Sequence, residues 1–124
     1  MNEKILLVED DPMNMRLFKL ALRGKGYQLL EAADGQSAVE MIAREPPDFI
    51  VLDIQLPKVS GLDVARRVRS DAATKNIPIL AVTAYAMKGD ENRIIAAGCD
   101  AYLAKPVDTH ELSVVVAQML SQRP

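Results

Sequence analysis

The chain reads as an α/β domain: a doubly wound parallel sheet of five strands with five helices, occupying residues 1–124. Three observations predict this. Short apolar runs of strand length alternate with amphipathic segments of helical period along the whole chain. Most of those runs are continuously apolar, as in parallel strands buried on both faces. The helical segments also open with side chains suited to capping. With 124 residues, 49% of them hydrophobic and 26% charged, the chain can bury a real core.

Each element has its own justification. Ile5–Val8 forms the first run, and Glu9, Asp10 and Asp11 follow it directly. Asp11 before Pro12 predicts an N-cap with proline at the first helical position. Leu17, Phe18, Ala21 and Leu22 share a face of that helix, and Gly24 and Gly26 punctuate its end. The second run, "YQLLEA" at Tyr27–Ala32, is interrupted by polar residues and suits an edge strand. Ala38, Val39, Ile42 and Ala43 make the second helical face, which "EPPD" stops. The third run is Phe49–Leu52, leading to Asp53. Ser60 with Asp63 resembles a capping box opening a helix faced by Leu62, Ala65 and Val68. Ile79–Val82 is the fourth run, ending at Thr83. The fourth helix, around Ile94 and Ile95 and ended by Gly98, is the least periodic. Ala101–Leu103 is the fifth run, before Lys105–Pro106. Asp108 with Glu111 then opens a helix faced by Leu112, Val115, Val116, Met119 and Leu120. An edge position for the second run gives the flavodoxin-like strand order 2-1-3-4-5. After Leu120 only "SQRP" remains, so no output domain is expected.

Composition excludes several function classes. A net charge of -2 argues against nucleic acid or an anionic membrane as partner. The single cysteine, Cys99, offers neither an internal disulfide nor a metal-binding pair and suits a small buried filler in a reducing compartment. The N-terminal apolar run is too short for a signal peptide, and no segment approaches a membrane span, so the expected location is cytoplasmic. Neither a G-x-x-x-x-G-K-[ST] loop nor a G-x-G-x-x-G turn occurs.

Ligands of open α/β sheets bind beyond the C-terminal ends of the strands. Glu9 and Asp10 lie there after the first strand, Asp53 after the third, Thr83 after the fourth and Lys105 after the fifth. Converging carboxylates need a cation, and hard oxygen ligands suit Mg²⁺. Asp11 is expected to turn away as the helix cap. The three acids, Lys105 and a divalent ion make a nearly neutral pocket, able to hold a phosphoryl group with help from the Thr83 hydroxyl. Carboxylates attack phosphorus in aspartyl-phosphate enzymes, and the central Asp53 is the natural nucleophile.

This combination resembles the receiver domain of two-component response regulators. "LLVEDD", "DFIVLDIQLPKVSGLDVARRVR", "IPILAVTAYAM" and "GCDAYLAKPV" each look like a receiver segment, in order and spacing. The resemblance implies a CheY-like fold in which Asp53 is the phosphoacceptor. It further implies that Asp10, Asp53 and the Gln55 backbone carbonyl ligate Mg²⁺ (or Mn²⁺ as substitute), with Glu9 acting mainly through water. Thr83 and Lys105 would contact the phosphoryl group, and the Lys105–Pro106 bond would be cis. Thr83 and Tyr102 would form the switch, while Gln55 and Tyr85 would set phosphate lifetime. Two departures are small: Leu56–Pro57 stands for the usual Met-Pro, and Glu9 stands where many receivers carry Asp.

The implied partners are a histidine kinase or histidine phosphotransfer protein, and a downstream kinase or regulator. The expected docking surface is Met13, Asn14 and Arg16, joined by Met87 and Lys88. "VEDDPMNMRLF", "DIQLPKVSGLDV" and "VTAYAMKGDENRI" resemble the DivK-type group of single-domain regulators, which implies cell-cycle or division control. The expected state is a monomer, with dimerisation on phosphorylation as an open alternative. No enzyme activity beyond self-phosphorylation and dephosphorylation is expected. The rivals are an Mg²⁺-dependent aspartyl-phosphate phosphohydrolase and a pseudo-receiver. The first would want a second Asp where Gln55 stands, and the intact acid, Thr and Lys set argues against the second. His110 falls inside the last helix cap and reads as a solvated first-turn residue.

Overall fold

The protein is described here by a computed structural model covering residues 2–84 and 90–122. The elements are β1 (Lys4–Val8), α1 (Pro12–Leu22), β2 (Gln28–Ala32), α2 (Gly35–Arg44), β3 (Phe49–Asp53), α3 (Gly61–Ser70), β4 (Ile79–Thr83), α4 (Asp90–Ala96), β5 (Ala101–Ala104) and α5 (Thr109–Gln122). All neighbouring strands pair in parallel, in the order β2-β1-β3-β4-β5. The flavodoxin-like topology is therefore the observed one.

Strand alternation divides the core between the two faces of the sheet. Ile5, Leu7, Phe49, Val51, Leu80 and Val82 meet α1 and α5. Leu6, Val8, Ile50, Leu52, Ile79 and Ala81 meet α2, α3 and α4. Burial on both faces explains why these strands read as continuous apolar runs. β3 and β4 are buried at every position, and each runs one residue further than its apolar stretch. Asp53 and Thr83 are thus the strands' own last residues, held by the sheet rather than by a loop.

The caps follow the sequence. The Asp11 side chain accepts from the Met13 N–H at 3.2 Å, Ser60 Oγ from Asp63 at 3.3 Å, and Asp108 from Glu111 at 2.9 Å. Sequence reasoning missed Asp34, which caps α2 by accepting from the Ser37 N–H at 2.7 Å. Gly24, Gly26 and Gly98 take positive φ where helices end. Some helical faces differ from expectation. Val64 is fully buried, while Ala43 lies on the exposed flank of α2 and Ile95 on the exposed side of α4. A helix packed on a flat sheet buries a stripe, and residues at its margin emerge into solvent.

At the sheet end opposite the acids, Arg69 of α3 fastens three segments. Its guanidinium donates to the carbonyls of Gly98 at 2.9 Å, Lys75 at 3.0 Å and Ile77 at 2.7 Å, and to Asp100 Oδ2 at 2.7 Å. Asp100 Oδ2 also accepts from the Ile79 N–H at 2.8 Å. Only a planar fork reaches all of these acceptors. Arg69→Ala is therefore expected to destabilise by about 2 kcal/mol in urea denaturation, with Arg69→Lys recovering little of it. The neighbouring Cys99 is buried, as expected, and burial pushes its thiol up to about 11.

Candidate functional site

The C-terminal ends of β1, β3, β4 and β5 bring together the residues singled out in the sequence. Glu9, Asp53 and Thr83 are almost fully buried, while Asp10 beside them is exposed. One carboxylate oxygen each from Glu9, Asp10 and Asp53 falls within 4.8 Å of the others. Lys105, directly after β5 and followed by a cis bond to Pro106, points its ammonium into this cluster. Its Nζ lies 2.8 Å from Glu9 Oε1 and 3.1 Å from Asp53 Oδ2. The Lys105 N–H donates to the Thr83 carbonyl at 2.8 Å, which ties this turn to the end of β4.

The backbone holds the remaining carboxylate oxygens. Asp53 Oδ1 accepts from the Gln55 N–H at 3.1 Å, and Glu9 Oε2 from the Asp11 N–H at 3.1 Å. Asp11 itself turns away to cap α1, so the acidic triplet divides two to the pocket and one to the helix. Gly61 sets how closely α3 approaches Asp53. A Cβ there would fall on the Asp53 carbonyl oxygen and stand 2.7 Å from Ile54 Cα, and the Gly61 N–H donates to the Ile54 carbonyl at 3.0 Å. Sequence reasoning did not assign Gly61 this part. The available signal was a glycine directly after the Ser60 cap, where a helix former would ordinarily stand.

Electrostatics follow from burial and sharing. Desolvation pushes the Glu9 carboxyl up to about 7, Lys105 and the Asp11 N–H counter this, and Asp53 adds to it. Burial works to lower the Lys105 ammonium, but contact with Glu9 and Asp53 outweighs it and holds the group above its ordinary value. The three acids and one lysine leave an excess of two negative charges when fully ionised. Hard oxygen donors with that excess fit a small divalent cation. Glu9 was expected to act mainly through water. The structure gives it an additional partner, the Lys105 ammonium.

Further residues fall around this centre. Gln55 and Thr83 line a cleft of about 360 Å³ with Ser60, Asp90 and Arg93. Tyr102 on β5 is half-buried, opposite Ala81 in register and on the same sheet face as Thr83. The Glu91 carboxylate of α4 lies close to its hydroxyl and, with burial, holds the phenol above its usual range. On α1, Met13 and Arg16 are exposed, Asn14 is half-buried and Met15 belongs to the core. His110 is exposed in the first turn of α5. Tyr85, Met87 and Lys88 lie outside the described residues. Among the described residues, no helix is long and apolar enough to cross a membrane.

A flavodoxin-like sheet with buried acids, Thr and Lys at its strand ends defines a class. Residues 5–117 match the response regulator receiver domain, and the chain belongs to that family. Among individual proteins it is 43% identical over 107 residues to the polar-differentiation response regulator DivK of Brucella ovis, covering 86% of this chain and 87% of DivK. A response regulator from Chloroflexus aurantiacus superposes with a TM-score of 0.93 at 34% identity, over 98% of this chain and all (100%) of that one. The receiver domain of a sensor histidine kinase from Pseudomonas aeruginosa, solved with magnesium coordinated in its active-site cleft, gives 0.90 at 35% identity, again over 98% and 100%.

Proposed function

We propose that the chain is a single-domain response regulator of a two-component phosphorelay, accepting a phosphoryl group on Asp53 from a histidine kinase or histidine phosphotransfer protein. The observation that carries this reading is the placement of Asp53. It ends the central strand, is buried, is 3.1 Å from the Lys105 ammonium, and pairs in register with Val82 beside Thr83. An Asp53 oxygen forms the new O–P bond as the donor's P–N bond breaks, and the departing imidazole keeps the electron pair and takes up a proton. Glu9, Asp10, Asp53 and the Gln55 carbonyl would hold Mg²⁺, or Mn²⁺ in its place. Bound there, the ion would supply neutralisation of charge on the phosphoryl oxygens. Lys105 would move its ammonium from the carboxylates to the phosphoryl group, and the Thr83 hydroxyl would donate to a second oxygen.

The signal would leave through Tyr102. Thr83 drawn toward the phosphoryl group frees space on the sheet face that Tyr102 shares, above the small Ala81 opposite it. Turning inward, Tyr102 would leave the neighbourhood of Glu91 on α4, a shift between two populations. Gln55, with Tyr85, would govern access of hydrolytic water and hence phosphate lifetime. Met13, Asn14 and Arg16, with Met87 and Lys88, would meet the kinase or phosphotransfer partner. The 43% identity to DivK supports a role in cell-cycle or division control, exerted in the cytoplasm through protein contacts. No catalysis beyond the chain's own phosphorylation and dephosphorylation belongs to this reading.

Incubation with acetyl phosphate and Mg²⁺ tests it directly by intact mass. One hydroxylamine-labile phosphate is expected on the wild type, and none on Asp53→Asn or when Mg²⁺ is withheld. An unmodified wild type that also fails to respond to beryllofluoride would overturn the switch and leave a pseudo-receiver.

A further inference from the structure

We propose that the cleft between α1 and the free edge of β2 is a docking groove for an extended acidic segment of a partner protein, which adds as a strand beside β2. The cleft measures about 700 Å³ and is lined by Arg16, Lys19 and Leu20 of α1, and by Arg23 directly after it, facing Leu29 and Glu31 of β2. This goes beyond the phosphoryl-transfer reading and does not depend on it.

The edge is open in the chemical sense. Gln28 donates its N–H to Glu3 and the Ala32 carbonyl accepts from Glu9, so in the parallel ladder Gln28, Leu30 and Ala32 direct their peptide groups toward β1. Leu29 and Glu31 direct theirs outward. The same two residues face the α1 side of the sheet. Leu29 packs with the cluster under α1 and α5, whereas Leu30 packs with the opposite one. An incoming strand would therefore meet outward N–H and C=O groups and a side-chain floor at the same positions. Edge strands are commonly blunted by lysine or proline. The sequence QLLEA has neither, and its one charge, Glu31, is held by Lys19 at 3.0 Å.

Charge identifies the occupant. Arg16, Lys19 and Arg23 recur at helical spacing, in a chain whose net charge is -2. Lys19 is engaged by Glu31. Arg16 and Arg23 are exposed and make no ion pair among the described residues. Leu20, 46% exposed between them, adds apolar surface. An extended peptide with carboxylates toward the arginines and apolar side chains toward Leu20 and Leu29 satisfies all of these groups. The upper end of the cleft, at Glu9 and Asp10, repels acid and sets where the carboxylates fall.

Selection from a library of displayed random peptides tests the assignment. Peptides carrying both acidic and apolar residues at every second position, and so on one face of the strand, should be enriched. A synthetic copy should shift the amide resonances of Leu29 and Glu31 in the isotope-labelled protein. Binding should weaken about tenfold in the Arg16→Glu/Arg23→Glu protein and be lost when alternate peptide amides are methylated. An Asp53→Asn protein should bind like the wild type, which separates this outcome from any failure of the phosphorylation reading. The proposal is overturned by enrichment of neutral or basic peptides, or by resonance shifts confined to α5 or the acidic pocket. Equal capture by the charge-reversed protein, no enrichment at all, or self-association of the chain along this edge overturns it equally.

Discussion

Replacing Lys105 by methionine is expected to lower the stability of the metal-free protein by about 3 to 5 kcal/mol above neutral pH. The Lys105 ammonium is within 2.8 Å of one buried carboxylate and 3.1 Å of another. Methionine fills similar volume but supplies no charge, so Glu9 and Asp53 would face each other with no cation between them in a poorly solvated pocket. The Lys105 side chain is only 15% exposed, so water offers little replacement. The loss should shrink at lower pH, where Glu9 takes a proton, and when Mg²⁺ is added. Urea denaturation of the wild type, Lys105→Met, Glu9→Gln and the double variant closes the cycle. The double variant should recover much of the loss, because it leaves Asp53 alone. Equal urea midpoints for the wild type and Lys105→Met would show that the pair carries no weight and that the pocket is effectively solvated.

The same shared lysine marks where sequence reading stops. Asp53, Thr83 and Lys105 were legible because they follow apolar runs whose parallel order brings strand ends together, whatever the loops do. β2 was legible as an edge because Gln28 and Glu31 interrupt it. The sequence shows which groups converge, but not whom each one meets before a ligand arrives. Lys105 reads as a phosphoryl contact, yet its ammonium is shared between Glu9 and Asp53. Tyr102 reads as a half-buried aromatic, while its nearness to Glu91 depends on how α4 lies against β5. α4 is the least periodic helix because only Ile94 of its Asp90–Ala96 span is buried, which leaves little pattern to read. The Gly61 approach to Asp53 and the Arg69 fork are likewise contacts between elements far apart in the chain.

Between about pH 4.5 and 7 the metal-free protein should become less stable as pH rises, on account of Glu9. The folded chain holds the Glu9 proton up to about 7, whereas the unfolded chain releases it near 4.5. The native state thus binds more protons throughout this interval, and stability falls with increasing pH. At about 1.4 kcal/mol per pH unit, the full interval amounts to about 3 kcal/mol. Lys105 acts elsewhere: its raised value contributes stability below about 10.5 that is lost only above it. Asp34, lowered chiefly by the Ser37 N–H, contributes stability that is lost only below its ordinary value of 3.8. Mg²⁺ should cancel the Glu9 slope over this interval. Binding expels the proton, so apparent affinity rises about tenfold per pH unit up to about 7 and levels off above it. Urea midpoints across this interval, with Mg²⁺ or with chelator, read both effects. Glu9→Gln should flatten the chelator series and remove the pH dependence of Mg²⁺ affinity. Identical pH profiles for wild type and Glu9→Gln would mean that Glu9 ionises as an ordinary carboxylate, and that the metal-free pocket holds three full negative charges against one lysine at neutral pH.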